Sequence, residues 1–384
     1  MAAAAARQLG ARIRAGLVIA PDAAQVPDGF ELIVGGHPLP TPASEAGGRR
    51  ALALAASSAD DEMMLALISG GASALMAVPA DGVTLEDKRT ATEQLLRAGA
   101  DIHALNTLRK HLSAVKGGWL AARARGSSVA LAISDVVGDD VSVIASGPTV
   151  ADASTFQDAL DVVRAFGGDA AFPPAIVARL ERGVARAIEE TPKPGDPRLA
   201  RATTTVIGSR RDAMKGAAAA AAALGYHVVL IDDPVVGEAR AAALACVRDA
   251  TARANAVARP SCIVSSGETT VHVVGRGRGG RNQEFALAAA VALARDSGDA
   301  RDRSATPSAI VVASVGTDGV DGPTDAAGAL ADATTTTRAQ AAGLDADALL
   351  ADNDAYTFFD AIGDLIRTGP TGTNVGDLQV ILLA

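Results

Sequence analysis

The chain has 384 residues, 49% of them hydrophobic and only 3% aromatic, with a formal net charge of −9. That length holds two domains with separate cores, and the Ala, Val and Leu bias is that of Ala-packed α/β enzymes rather than aromatic-rich binding modules. The negative charge excludes a nucleic-acid partner that needs phosphate neutralisation. Two cysteines, Cys246 and Cys262, exclude a disulfide framework or Cys-based zinc site, and no apolar run reaches a membrane span.

The opening MAAAAARQLGARIRAG lacks the basic leader region of a signal peptide, so a cytoplasmic location is expected. From there, short aliphatic runs alternate with Ala-rich helical stretches, the rhythm of βα units on a parallel sheet. Strands are predicted at 15–20, 30–36, 64–71, 129–137, 203–209, 227–231, 261–267, 269–275, 308–317 and 378–384. A helix is expected from Asp212 as N-cap to Gly225 as C-cap. The helix at 248–260 stops at Pro260, which sets an expected division into domains 1–255 and 260–384. The segments 189–203 and 295–308 read as an exposed connection and a charged surface loop. Nothing ahead of the strand at 15–20 forms a first βα unit, so either the first residues pack as a peripheral helix or an upstream strand and turn are missing.

Several loops carry chemistry. ISGGASALMAVP (68–79) is a strand ending in Gly70-Gly71 before a predicted helix, with hydroxyls on Ser69 and Ser73. Such a turn offers N–H donors to an anion; the alternative is a tight turn without ligand. LNTLRKHLSAVKGGWLA (105–121) gathers Arg109, Lys110, His111 and Lys116 ahead of Gly117. In a chain with five lysines, this concentration favours an anion site over a solvated helix face. Asp135 stands at a strand end, where open α/β sheets bind ligands. It suits holding Mg²⁺ or orienting a hydroxyl, against the alternative of capping its turn.

Residues 275–283, GRGRGGRNQ, fit G-x-G-x-x-G between an apparent strand and a helix, with Asp296 and Asp299 near the ribose-binding spacing. A dinucleotide fingerprint needs small residues so that pyrophosphate can reach bare backbone. Here Arg276, Arg278 and Arg281 crowd the loop and Asn282 opens the helix, an arrangement for pairing carboxylate or phosphate. The fingerprint therefore reads as false. Glu268 sits at the preceding strand turn. Downstream, Asp318, Asp321 and Asp325 lie in a Gly-rich loop without the closing Glu of an EF-hand, either metal-binding or a polar turn cluster.

Taken in order, ISGGASAL, GADIHALNTLRKHLSAVKGG, ISDVVGDD…IASGPT, GETTVHVVGRGRGGRNQE, TDGVDGPTDAAGA and GPTGTNVGDL resemble the signatures of class II glycerate 2-kinases over nearly the whole chain. The resemblance implies an α/β protein. Its Rossmann-like parallel-sheet N-terminal domain precedes a smaller α/β C-terminal domain, MOFRL, with the active site in the interdomain cleft. It implies ATP-dependent phosphorylation of D-glycerate at the 2-hydroxyl, with ATP and Mg²⁺ as cofactors. Small molecules are the expected partners, with no nucleic acid and no membrane, and a homodimer is one option for the assembly.

Residue by residue, the resemblance puts Asp135 and Arg281 at the reaction centre. Ser69, Gly70, Gly71 and Ser73, with Lys116 and Gly117, would cradle nucleotide phosphate. Arg281, Asn282 and Glu268 would meet the substrate, and Asp135, Asp318 and Asp321 the metal. Two departures are evident: the family's strand-Gly-Lys-Ala segment would fall before Met1, and Arg210 replaces a common Asn. A form without that segment is expected to be weakly active. Because members of the family have carried the label hydroxypyruvate reductase, an NAD(P)H-dependent reductase is the alternative. A form that only binds ligand is a third possibility.

Overall fold

A computed structural model describes the chain apart from residues 24, 255 and 300–309 and the side chains of 296–299. The chain forms two compact units, residues 1–133 with 139–207, and residues 134–138 with 208–384.

In the first unit, strand Gly16–Ala20 pairs in parallel with Phe30–Val34, Gly16 opposite Phe30. A second sheet orders Met63–Ile68, Ser127–Ile133 and Ala202–Gly208 side by side, the first two parallel. Helices Leu85–Arg97, Ile102–His111, Phe156–Ala165 and Pro174–Val184 bury their apolar stripes together through Leu95, Leu108, Phe156, Ile176 and Leu180. Burial of that kind contributes about 1.5–3 kcal/mol per large side chain. Two of these helices start with reciprocal capping boxes, Thr84 with Asp87 and Thr155 with Asp158, which satisfy otherwise orphan N–H groups.

The second unit holds a seven-stranded mixed sheet among the described residues. Its order runs Leu365–Ile366, Gly328–Asp332, Ile310–Gly316, Asp377–Leu383, Ser261–Thr270, His227–Leu230, and Val235–Glu238 also pairs with Ser261–Thr270. Only the strands at 227–230 and 235–238 run parallel to their neighbour; the remaining pairs are antiparallel. The expected parallel rhythm therefore fails in this half. Helices Ala239–Ala254 and Arg281–Asp299 pack on the sheet through small residues. Ala239, Ala243, Ala250 and Ala289 are all fully buried around Phe285, and small side chains let the backbones approach closely.

The division in packing falls at 207/208. The strand at 227–230 pairs with Ser261–Thr270, His227 opposite Ser261, and so binds residues 208–254 to the later sheet. The predicted strands 261–267 and 269–275 are one strand ending at Thr270; Val273 and Val274 beyond it are 70% and 67% exposed. The helix expected from Asp212 runs Arg210–Ala223 instead, with Ser209 as N-cap and Asp212 the third residue of its capping box. Finally, the predicted loop 295–308 is helical through Asp299, and its remainder lies outside the described residues. No helix among the described residues is long and apolar enough to cross a membrane.

Candidate functional site

The glycine loop at 275–280 is filled by the chain itself. Backbone N–H groups of Val274 and Gly275 donate to Asn353 Oδ1 (2.9 and 3.0 Å), and those of Arg276 and Arg278 to Asp352 and Asp354 (2.9 Å each). A Cβ on Gly275 would lie 2.1 Å from Asp352 O, and one on Gly277 2.3 Å from Asp354 Cβ. These glycines are required by close approach of residues 352–354, not by a pyrophosphate. The helix N-terminus behind the loop is occupied too. Asp321 accepts the N–H groups of Asn282 (3.0 Å) and Gln283 (2.8 Å), where a dinucleotide phosphate would otherwise sit.

Around that helix start, acids gather on one arginine. Arg281 donates through Nε and Nη2 to the two oxygens of Asp377 (2.8 and 3.0 Å) and through Nη1 to Glu268 (2.9 Å). Asp377 has no exposed side-chain surface, whereas the Glu268 side chain is 46% exposed. Asn282 Nδ2 bridges Asp377 (2.9 Å) and Asp321 (3.2 Å), and its oxygen accepts from Ser314 (2.7 Å). Burial, followed by the pull of Asp377 in the opposite sense, leaves Arg281 above its ordinary range. Burial first, and then Asp377 and Asp135, hold Glu268 above the usual carboxylate range. Burial raises Asp321 to about 6 despite its three N–H donors. Asp135, half-buried, accepts from Asn374 Nδ2 at 3.4 Å. In this cluster Asp135, Glu268, Asp321 and Asp377 outnumber Arg281, an environment that favours a cation.

The first unit holds the opposite balance. Lys116, 2% exposed, donates Nζ–H to Ser73 O and meets Ser73 Oγ, both at 2.7 Å. Ser73 Oγ lies 3.1 Å from Ser146 Oγ, which donates to Asn106 Oδ1 at 2.8 Å. Burial, then the neighbouring charges of Lys88 and Arg109, put Lys116 well below the usual lysine range. Lys88 is lowered to about 7, chiefly by burial and then by Arg109. Lys110 and His111 differ: Lys110 pairs with Asp152 (3.2 Å) and His111 with Glu190 (3.0 Å). Those two contacts are structural.

The expected residues thus divide. Asp135, Glu268 and Arg281 stand in one electrostatic cluster; Ser73 and Lys116 stand in another. Asp321, expected as a metal ligand, instead anchors the helix, since both its oxygens accept N–H groups. Asn282, expected to meet substrate, is 1% exposed and is a strut between acids. Asp318 is half-buried, and one of its oxygens closes a turn on Val320 N (3.0 Å). Among the described residues no group of three or more His, Cys, Asp or Glu is placed to hold a metal. Ser69 is exposed, and the helix after Gly70-Gly71 spans only Ala72–Leu75, too short for the expected dipole. Gly117 donates its N–H to Ser146 O (3.1 Å), so that donor is occupied. Sequence reading missed Asp377, Asn374, Asn106, Ser146 and Lys88. The signal for the first two was Asn374-Val-Gly-Asp377 in a loop of small residues entering a strand.

Residues 1–181 match a family model described as a domain of unknown function (DUF4147), and residues 261–377 match the MOFRL family. The chain is 36% identical over 358 residues to the glycerate 2-kinase of Pyrococcus horikoshii, covering 92% of this chain and 78% of that protein. It is 40% identical over 378 residues to an Agrobacterium vitis protein provisionally named hydroxypyruvate reductase, covering 96% of this chain and 81% of that one. A crystal structure of glycerate kinase from Thermotoga maritima matches with a TM-score of 0.87 at 37% identity, covering 100% of this chain and 88% of that one. With such likeness along its length and two motif-bearing halves in the same order, the chain belongs to the glycerate 2-kinase family.

Proposed function

We propose that this kinase transfers the γ-phosphoryl group of ATP to the 2-hydroxyl of D-glycerate, giving 2-phospho-D-glycerate and ADP. The observation that carries the reading is the likeness to glycerate 2-kinases along the chain. Small anionic molecules are its partners, and the net charge of −9 supports a protein that does not bind nucleic acid. Its place is the cytoplasm.

The residues divide the work. A guanidinium has five N–H donors; three of those on Arg281 hold Asp377 and Glu268. The fork itself is therefore taken, and the substrate carboxylate meets the remaining donors on Nη1 and Nη2. Anchoring by a fully buried acid fixes that guanidinium before substrate arrives, the preorganisation from which electrostatic catalysis derives. Asp135 accepts the hydrogen of the 2-hydroxyl and aligns its oxygen. A loose phosphoryl-transfer transition state needs that positioning more than a strong base. Ser73 and Lys116 cradle phosphate in the first unit.

Repulsion of Glu268 by Asp377 and Asp135 fits a nearby cation. Asp135 with Asp318 would hold Mg²⁺ accompanying ATP, a small carboxylate set of the kind this ion accepts alongside waters and phosphates, and the ion would supply charge neutralisation.

A coupled ADP-release assay on the full chain tests the reading: ADP should appear only when D-glycerate is present. No glycerate-dependent ADP release would refute it. Hydroxypyruvate with NAD(P)H in the same cuvette should show no oxidation, because the glycine loop is packed with residues 352–354.

A further inference from the structure

Burying a cation is costly unless it is paired or neutralised. Lys110 follows that rule through Asp152. Lys116 does not: its Nζ contacts are Ser73 O, Ser73 Oγ and, at 3.5 Å, Ala145 O, with no carboxylate among the described residues. The charged groups that act on it are Lys88, from the helix Leu85–Arg97, and Arg109, from the helix Ile102–His111. Both are cations, and the one acid acting on Lys88 is Glu45.

A second observation points the same way. Asn106 is 3% exposed, its oxygen accepts from Ser146, and its Nδ2 has no partner. A buried amide donor without an acceptor is rare enough to require one. The backbone beside it is also unusual: Ala145 and Ser146 have φ of 52° and 61°, followed by Gly147 at 61°. Non-glycine residues in that region cost on the order of 1–3 kcal/mol each and cluster at ligand sites. Here the turn aims Ser146 Oγ at Ser73 and leaves Ala145 O beside Lys116.

We propose that Lys116, Lys88, Arg109 and the Asn106 amide form a receptor for one phosphate-type oxyanion, and that the anion enters together with a proton that lands on Lys116 Nζ. The proposal rests on the phosphate-cradle reading of Ser73 and Lys116 and extends it: the cradle stands neutral at Lys116 when empty and charged when filled. In the empty site a neutral Nζ keeps two N–H groups, which donate to Ser73 O and Ser73 Oγ. An arriving oxyanion supplies the missing counter-charge, Nζ becomes ammonium, and the proton comes from solvent. Depression of Lys116 by burial and by its two cationic neighbours agrees with this order.

Calorimetric titration of inorganic phosphate into the full chain at pH 8.5, in two buffers of different ionisation enthalpy, counts the protons taken up. Net uptake is expected, and Lys116→Met should abolish most of it and weaken phosphate at least tenfold. Lys88→Gln leaves Nζ untouched and removes a group that, lowered to about 7, is itself mostly neutral at pH 8.5. It should retain folding and lose only the share of the uptake that Lys88 contributes. Displacement of phosphate by ATP identifies the nucleotide as the natural source, and displacement by 2-phosphoglycerate alone identifies the product; either upholds the site. Absence of phosphate binding, binding without proton uptake, or uptake unchanged in both variants would overturn it. Glycerate-dependent ADP release, measured separately, keeps failure here distinct from failure of the kinase reading.

Discussion

Replacing Asp377 by Asn isolates what holds Arg281. The Asp377 side chain has no exposed surface and accepts from Arg281 Nε (2.8 Å), Arg281 Nη2 (3.0 Å) and Asn282 Nδ2 (2.9 Å). Asparagine offers one acceptor oxygen and one donor nitrogen, so at least one of those donors would face another donor. Hydrogen bonds to charged groups contribute about 1.5–3 kcal/mol each. The loss is partly offset, because Asp377 also repels Glu268 and Asp321. A net destabilisation of roughly 2–4 kcal/mol follows. For a unit of this size that is a fall in melting temperature of roughly 5–15 °C.

Activity should fall further than stability alone explains. With one side of its fork released, Arg281 turns toward Glu268 and no longer presents its outer donors in a fixed direction. We expect kcat/KM for D-glycerate to drop about a hundredfold, ~2.7 kcal/mol of transition-state stabilisation, measured well below the variant's melting temperature. Arg281→Lys, which keeps the charge but loses the fork, should fall by a similar factor. The double variant should lose little more, since both changes break one unit. An Asp377→Asn enzyme with normal kcat/KM would refute the idea that the buried acid positions the arginine. Additive losses in the double variant would show that the two residues act separately.

Gly277→Ala should destabilise the second unit by about 3 kcal/mol, because the new methyl meets Asp354 backbone; a stable variant with altered nucleotide binding would restore the dinucleotide reading. Asp135→Asn should keep its melting temperature and lose two or more orders of magnitude in kcat, and a normal rate with a lowered melting temperature would make the residue a turn cap. Asp321 titrates at about 6 when folded against ~3.9 unfolded, so its favourable contribution is complete below the unfolded value and lost as pH rises through 6, by about 3 kcal/mol. Asp321→Asn does not titrate, so the stability gap between wild type and variant should narrow between pH 4 and 7; a constant gap would contradict the shift.

The strand positions of the first unit were legible because apolar runs bounded by Gly and Pro fix them locally. Antiparallel pairing of Asp377–Leu383 with both its neighbours was not, since direction depends on where a connection returns and not on any residue in the strand. The same limit applied to Val271–Gly275. Alternating Val and His residues read as a strand, yet its N–H groups at Val274 and Gly275 bond Asn353, a side chain distant in sequence. Acidic and arginine members of the site were visible as odd residues in Gly-rich loops. Asp377 was not, because an Asp at a strand start is ordinary until Arg281 is known to face it.

Glycine spacing and lysine scarcity carried unequal information for a physical reason. A glycine reports that something approaches the backbone closely, but it does not report what. At 275–280 the approaching groups are Asp352, Asn353, Asp354 and Asp321, so the motif encodes packing of one chain segment on another. Lysine works the other way. Its charge is expensive to bury, so each buried lysine must be matched by a partner, and the partner's identity tells its role. Lys110 has Asp152 and is structural; Lys88 reaches Val78 O at 3.3 Å and Lys116 reaches Ser73, neither with an acid. Two lysines without an acid beside Arg109 stay neutral or take their counter-charge from a ligand, which is the proposed anion receptor, and the sequence pointed there only through their crowding.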